Sequence, residues 1–143
     1  DKGTKQSPTM YYEGALFNGV GFNVYSNGQL KFEANYKDGE KDGLQKGWHK
    51  NGQLQYEDNY KGGKRDGLQK WWYKNGQLHL EFHYRDGEED GLFKTWYKSG
   101  QLETILNYKD GEYDGLYQRW YENGKLQFTV KYKNGFNQGS VLN

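Results

Sequence analysis

The sequence predicts an all-β chain, an elongated antiparallel β-meander in which five to six hairpin repeats of 24 residues line up as an open sheet. Three observations predict it. The tetrapeptide Asn27-Gly28-Gln29-Leu30 returns at 51–54, 75–78, 99–102 and 123–126, always 24 residues on, with Ser99 standing for Asn in one copy and Lys125 for Gln in another. A pair ending in Gly returns at the same spacing, as Asp38-Gly39, Gly62-Gly63, Asp86-Gly87, Asp110-Gly111 and Asn134-Gly135. So does Asp-Gly-Leu at Asp42, Asp66, Asp90 and Asp114, with degenerate ends at Asn18-Gly19-Val20 and Gln138-Gly139-Ser140. No segment shows the periodicity of a capped helix.

Each element follows from these positions. Asn-Gly between apolar-alternating runs signals a hairpin, because a type I′ turn requires positive φ at both central residues. Gly28, Gly52, Gly76, Gly100 and Gly124 are therefore expected in two-residue turns. The strand after each turn should end in a wider turn, Lys-Asp-Gly-Glu-x-Asp-Gly, closed by Gly43, Gly67, Gly91 and Gly115. Together these positions hold 16 of the 21 glycines, which makes glycine a marker of turns here and not of flexible linkers. A two-residue turn at Asn51-Gly52 places His49 opposite Leu54 and Lys46 opposite Glu57. The next unit repeats the charge pair as Lys70 with Glu81, the fourth sets Lys94 against Ile105, and the fifth sets Gln118 against Thr129.

In this register one face carries His49, Tyr73, Tyr97 and Tyr121, then Leu54, Leu78, Leu102 and Leu126. Tyr56, Leu80 and Phe128 share it with the ladder Tyr36, Tyr60, Tyr84, Tyr108 and Tyr132, and it is expected to be the core face. Trp71, whose counterparts are Gly47, Thr95 and Arg119, lies there outside the repeat. The opposite face carries Leu44, Leu68, Leu92 and Leu116 and the ladder Trp48, Trp72, Trp96 and Trp120, set among Lys46, Lys70, Lys94 and other polar residues. One unit cannot bury its own face, so stability should come from stacking of neighbours.

Composition agrees with a thin structure. Leu, Ile, Val and Phe make up about 17% of the 143 residues, a level associated with disorder, but 20 basic and 19 acidic residues leave a net charge of only +1 and 18% of the chain is aromatic. Rings replace aliphatic side chains as the apolar material. The balanced charge leaves no footprint for nucleic acid and weakens any case for an anionic membrane. No stretch approaches the length of a membrane span. The N-terminus, Asp1-Lys2-Gly3-Thr4, has neither an initiator Met nor a signal-peptide core and reads as that of a processed or truncated product. Without Cys there is no disulfide, thiol catalysis or thiolate metal site. Residues 1–10 are expected to be a tail and 11–140 a single repeat domain with degenerate capping units.

The unit from Asp66 to Gly91, with its Asp66-Gly67-Leu68, Trp72, Asn75-Gly76-Gln77-Leu78, Tyr84 and Asp86-Gly87, resembles the bacterial variant of the MORN repeat found in YwqK-like antitoxin proteins. Five in-phase copies cover about residues 12–139. The first unit departs most, with Gly14-Ala15-Leu16-Phe17 at its turn and Val24 in place of the Trp. The resemblance implies a binding or scaffolding sheet without catalysis or cofactor. Proteins with such repeats are similar to antitoxins that hold a toxic enzyme inactive, to bacterial surface proteins, and to scaffolds that meet lipid or protein partners.

The constellations that suggest chemistry have simpler readings. His79, Glu81 and His83, at alternate positions of one strand, have metal-ligand spacing. Other units hold Lys31, Gln55, Glu103 and Gln127 at the first position and Asn35, Asn59, Asn107 and Lys131 at the third, which reads as surface variation, and no metal site is assigned. The acidic turns (Asp86, Glu88, Glu89, Asp90; Asp110, Glu112, Asp114) lack a calcium loop and are explained by turn chemistry. Glu57 and Glu81 recur as scaffold, not as an acid and base pair. Ser7, Ser26, Ser99 and Ser140 sit in no nucleophile context. No catalytic residue is expected. The binding candidates are the Trp ladder with Lys46, Lys70 and Lys94, since aromatic rows concentrate binding energy. The expected function is a non-enzymatic platform for another protein, a toxin or a host protein, in an antitoxin or immunity-like role. The alternative is an exported bacterial surface protein recognising a host or cell-wall ligand, protein or carbohydrate. The compartment is left open between cytoplasm and cell surface, with the N-terminus leaning to export. The end strands, near Tyr12–Tyr25 and Tyr132–Leu142, invite a homodimer.

Overall fold

A computed structural model describes residues 9–141. The tail expected at 1–10 lies outside them except for Thr9 and Met10, as does Leu142. The chain begins with a small hairpin of β1 (Tyr11–Tyr12) and β2 (Ala15–Leu16). Then come β3 (Gly19–Val24), β4 (Leu30–Lys37), β5 (Glu40–Trp48), β6 (Leu54–Lys61), β7 (Lys64–Trp72), β8 (Leu78–Arg85), β9 (Glu88–Trp96) and β10 (Leu102–Lys109). β11 (Glu112–Tyr113), β12 (Gly115–Trp120), β13 (Leu126–Lys133) and β14 (Phe136–Ser140) complete it. Among the described residues there is no helix, and β3 to β14 form one antiparallel sheet in which sequence neighbours are spatial neighbours. β11 and β12 both pair with β10, as two pieces of one strand interrupted at Asp114. The fold is the open meander that the 24-residue period implies.

The two turns exchange the roles expected of them. The tight turn is Asp38-Gly39: Lys37 pairs with Glu40, and both central residues have positive φ, 49° and 77°. This is type I′ geometry. At the Asn-Gly site the His49 N–H donates to the Gln53 carbonyl at 2.8 Å and Gly52 N–H to the His49 carbonyl at 2.9 Å. That closes a three-residue loop, Lys50-Asn51-Gly52, in which only the glycine has positive φ (83°). The Asn51 side chain caps it by accepting from Gln53 N–H at 3.1 Å.

The extra loop residue shifts the register by one, so Trp48 and not His49 pairs with Leu54. A bulge at Gln55 then restores it, and Lys46 meets Glu57 as expected. The same bulge recurs at Lys31, His79, Glu103 and Gln127. It corrects the face assignment: Leu54, Leu78, Leu102 and Leu126 stand across from Trp48, Trp72, Trp96 and Trp120 and share their face, because directly opposed residues point the same way. Gly43, Gly67, Gly91 and Gly115 close no turn either. Gly115 opens β12, paired with Tyr132. The other three lie inside β5, β7 and β9, where Asp42-Gly43-Leu44 bulges past the single residue Asn35 in the first of these.

Consecutive units are clamped at both edges. On the tight-turn edge the Asp of Asp-Gly-Leu accepts from the backbone of the next unit's turn, Asp42 from Gly62 and Asp66 from Asp86, each at 3.1 Å. Beside it Gly63 N–H donates to Lys41 O at 2.9 Å and Gly87 to Arg65 O at 2.8 Å. The acidic turns are thus structural. On the loop edge Tyr25, Tyr73 and Tyr97 hydroxyls donate to the carbonyls of Trp48, Trp96 and Trp120 at 2.7, 3.0 and 2.9 Å, and His49 Nε2 takes the same part toward Trp72 at 3.0 Å.

The core is one row of side chains on one face of one sheet. Ala34 pairs with Gln45, Gln45 with Asp58, Asp58 with Gln69, Gln69 with Phe82 and Phe82 with Phe93, which pairs with Leu106. All of these but Phe93 are buried. The row is polar in its first half, where the Gln69 amide bonds Asn59 O at 2.9 Å, Gly67 O at 3.2 Å and Asn59 N–H at 3.0 Å. In the second half it is aromatic, an edge-to-face run from Phe93 through Tyr108 and Tyr113 to Tyr132 with centroids 5.1–6.2 Å apart.

Gly47 shows how close the rings lie, since a Cβ there would stand 2.0 Å from Tyr56 Cε1. Gly47→Ala should displace the Tyr56 ring and cost about 1–3 kcal/mol, read as a lower urea midpoint. Adding Tyr56→Leu, the residue that opposes Trp71 as Leu80, should recover most of the loss.

Candidate functional site

The face opposite the core row carries a charged ladder, which runs Glu33, Lys46, Glu57, Lys70, Glu81, Lys94 across six strands. Lys46 and Glu57 lie 3.6 Å apart and Lys70 and Glu81 3.8 Å apart, as half-exposed pairs. Such pairs contribute up to about 1 kcal/mol each, so the ladder sets register more than it sets stability. It continues as Ile105, Gln118 and Thr129. Beside it run Trp48, Trp72, Trp96 and Trp120, each half-buried. Exposed apolar side chains share the face: Leu92 and Leu116 along it, and Val20, Phe22 and Val24 on β3, with Phe22 69% exposed. Sequence reasoning named the Trp and Lys rows; it missed the β3 residues because the first unit departs from the repeat.

On the core face, β6 and β7 break the pattern. Asp58 occupies the row position held by Ala34, Phe82 and Leu106 elsewhere and is 5% exposed. Its Oδ1 accepts from the Trp71 indole Nε1–H at 2.9 Å, and its Oδ2 faces Arg65 Nη2 at 3.3 Å. A buried carboxylate persists only when paired and hydrogen-bonded, and both conditions are met. Burial disfavours the Arg65 charge, but Asp58 overrides it and holds the guanidinium above its usual range. The same burial lowers the Lys41 ammonium, with Asp58 opposing the shift. Burial raises Tyr84, and its hydrogen bond to Glu89 at 3.0 Å adds to the effect.

Beside this group, where the loop edge meets the core face, lies an open cleft of about 540 Å³ built around Trp71, Tyr73 and His79. The imidazole of His79 stacks on the Tyr73 ring, centroids 4.1 Å apart and planes 26° apart. Burial lowers the His79 pKa against the pull of Glu103, which favours the neutral ring. The bulge accounts for this position: it turns His79 toward the core face, whereas Glu81 pairs with Lys70 and His83 with Leu68 on the other. The shared side expected for His79, Glu81 and His83 is thereby lost. Among the described residues no group of three His, Cys, Asp or Glu is placed to hold a metal ion.

Five successive segments, 17–38, 41–61, 65–86, 89–110 and 113–134, match the family described as MORN repeat variant. The chain belongs to the MORN repeat variant family. The matched segments span the strands from β3 to β13, with only the first residue of β5, β7, β9 and β11 outside them, so the MORN units and the hairpins of the sheet coincide. MORN repeats are commonly modules that bind protein or membrane, and the repeat type is non-catalytic. Comparison with curated proteins gives no match. Asp58, Trp71, His49 and His79 are departures from the MORN unit and not parts of it; comparing one copy with the next reveals them, though not that three of them converge on a cleft.

Asp58→Ala should leave Trp71 N–H without its acceptor and Arg65 without its anion, costing about 1–3 kcal/mol in chemical denaturation. Asp58→Leu should cost less, because Leu106 fills the same row position.

Proposed function

We propose that the protein is a non-enzymatic platform that binds another protein across its Trp-bearing face. The observation that carries this reading is the single layer: no second sheet or helix among the described residues covers that face, although it presents Leu92, Leu116 and Phe22 at 44%, 46% and 69% exposure. Apolar side chains rimmed by charge are the composition of a protein interface. Trp48, Trp72, Trp96 and Trp120 supply its aromatic floor, and Lys46, Lys70 and Lys94 its polar rim. An antitoxin or immunity-like role, with a toxic enzyme as the bound protein, is supported by the resemblance of the 24-residue unit. The test is reconstitution with a partner first captured from the source cells and then purified. Leu92→Asp with Leu116→Asp should weaken that complex at least about tenfold with the midpoint of unfolding unchanged; undiminished binding would remove this face from consideration.

A homodimer is proposed through β3, whose outer edge has no partner strand among the described residues and which carries no charged residue between Gly19 and Val24. Such edges pair unless blocked. Light scattering over a concentration series should show a dimer that Phe22→Lys abolishes; a monomer at all concentrations would refute it.

A further inference from the structure

We propose that the cleft around Trp71 binds an acidic saccharide, a sugar ring carrying a carboxylate or a sulfate. Its volume of about 540 Å³ falls within the range of ordinary ligand sites. The site lies where the repeat is broken. Trp71 stands where other units have Gly47, Thr95 and Arg119, and His79 where they have Lys31, Gln55, Glu103 and Gln127. Residues required only by the sheet recur every 24 positions; these do not, and they meet in one place.

The Trp71 ring is held in place. Its N–H is bound to the buried Asp58, and it packs edge-on to Phe82 at 6.4 Å, yet 36% of the residue remains exposed. A fixed ring loses little freedom on binding, which is the gain from preorganisation. With its only donor engaged, the indole offers the ligand its face alone. Tyr73 and His79, stacked on each other, give a second ring surface.

The rim decides the ligand class. Gln55 brings an amide that both donates and accepts, Lys74 and Lys98 bring ammonium groups, and no lining residue is a carboxylate; the Asn75 amide caps its own loop through Gln77 N–H and Lys98 O. An apolar peptide would leave those groups unmatched. A pyranose ring lays its C–H face on an aromatic plane and turns its hydroxyls outward to amides, and an acidic substituent answers the two lysines. The cleft opens on the core face, so this inference goes beyond the protein-binding reading of the Trp ladder and does not depend on it.

The test is titration of the full chain with trigalacturonate and a heparin-derived tetrasaccharide, against maltotriose, uridine monophosphate and an acidic hexapeptide, followed by Trp fluorescence and calorimetry. The acidic saccharides should bind saturably and at least about tenfold more tightly than maltotriose. Trp71→Thr, which copies the residue of the next unit, should abolish the fluorescence change; because it also takes the indole donor from the buried Asp58, the unfolding midpoint should fall, and binding is read at a temperature where the variant is folded. Should that variant fail to fold, Lys74→Gln with Lys98→Gln should remove the preference for acid over neutral sugar. No saturable binding of either acidic saccharide, tighter binding of the nucleotide or the peptide, or unaltered binding by these variants would overturn the proposal. Because the Leu92→Asp and Leu116→Asp variant leaves the cleft intact, it should still bind the saccharide, which separates failure of one proposal from failure of the other.

Discussion

Everything in this molecule depends on bonds from one unit to the next. A sheet one layer thick has no opposing layer to pack against, so cohesion must travel along the row of hairpins. Beyond the strand ladders, two clamps supply it. On one edge an Asp carboxylate and a main-chain carbonyl receive the N–H groups of the following tight turn. On the other a Tyr hydroxyl, or His49 in one unit, reaches the carbonyl of the following Trp. Both reach a fixed distance along the chain, and an insertion inside a unit would break them together. That constraint explains why the period is 24 without exception and why each unit carries an Asp before its Gly-Leu: the carboxylate receives a backbone hydrogen bond from the next turn.

Thinness also explains the unusual core. With a single row to bury, burial depends on rings that lean over the row from each side. The N-terminal half closes the row with Gln45 and Gln69 amides bonded to the main chain and an Asp58 carboxylate bonded to Trp71 and Arg65, the C-terminal half with edge-to-face aromatics. In the polar half an Asp sits in the row with an indole and a guanidinium as partners. The departures from the repeat, and with them the cleft, fall at the junction of the two halves.

Much of this was legible in the chain. The period, the hairpins, the antiparallel order, the pairing of Lys46 with Glu57 and the outlying status of Trp71 all follow from residue spacing. The turn types did not. Asn-Gly and Asp-Gly carry the same local signal, and which becomes the two-residue turn depends on loop closure against a strand whose bulge has no residue signature: Lys31, Gln55, His79, Glu103 and Gln127 have little in common. One unforeseen residue in the loop moved four leucines to the other face, because side chains alternate with period two.

The sequence by itself determined the architecture, since repetition multiplies a weak local signal five times and leaves one way to align the units. Only the tertiary structure decided which side chains share a face and which non-repeating residues converge. Trp71 and His79 lie on neighbouring strands with a bulge between their registers, and Asp58 reaches Trp71 from the strand paired on its other side. Spacing along the chain records neither relation, because both arise from strand pairing and from the local twist of a bulged strand. The repeat is a one-dimensional property and could be read in one dimension; the cleft exists only where the repeat fails and strands meet.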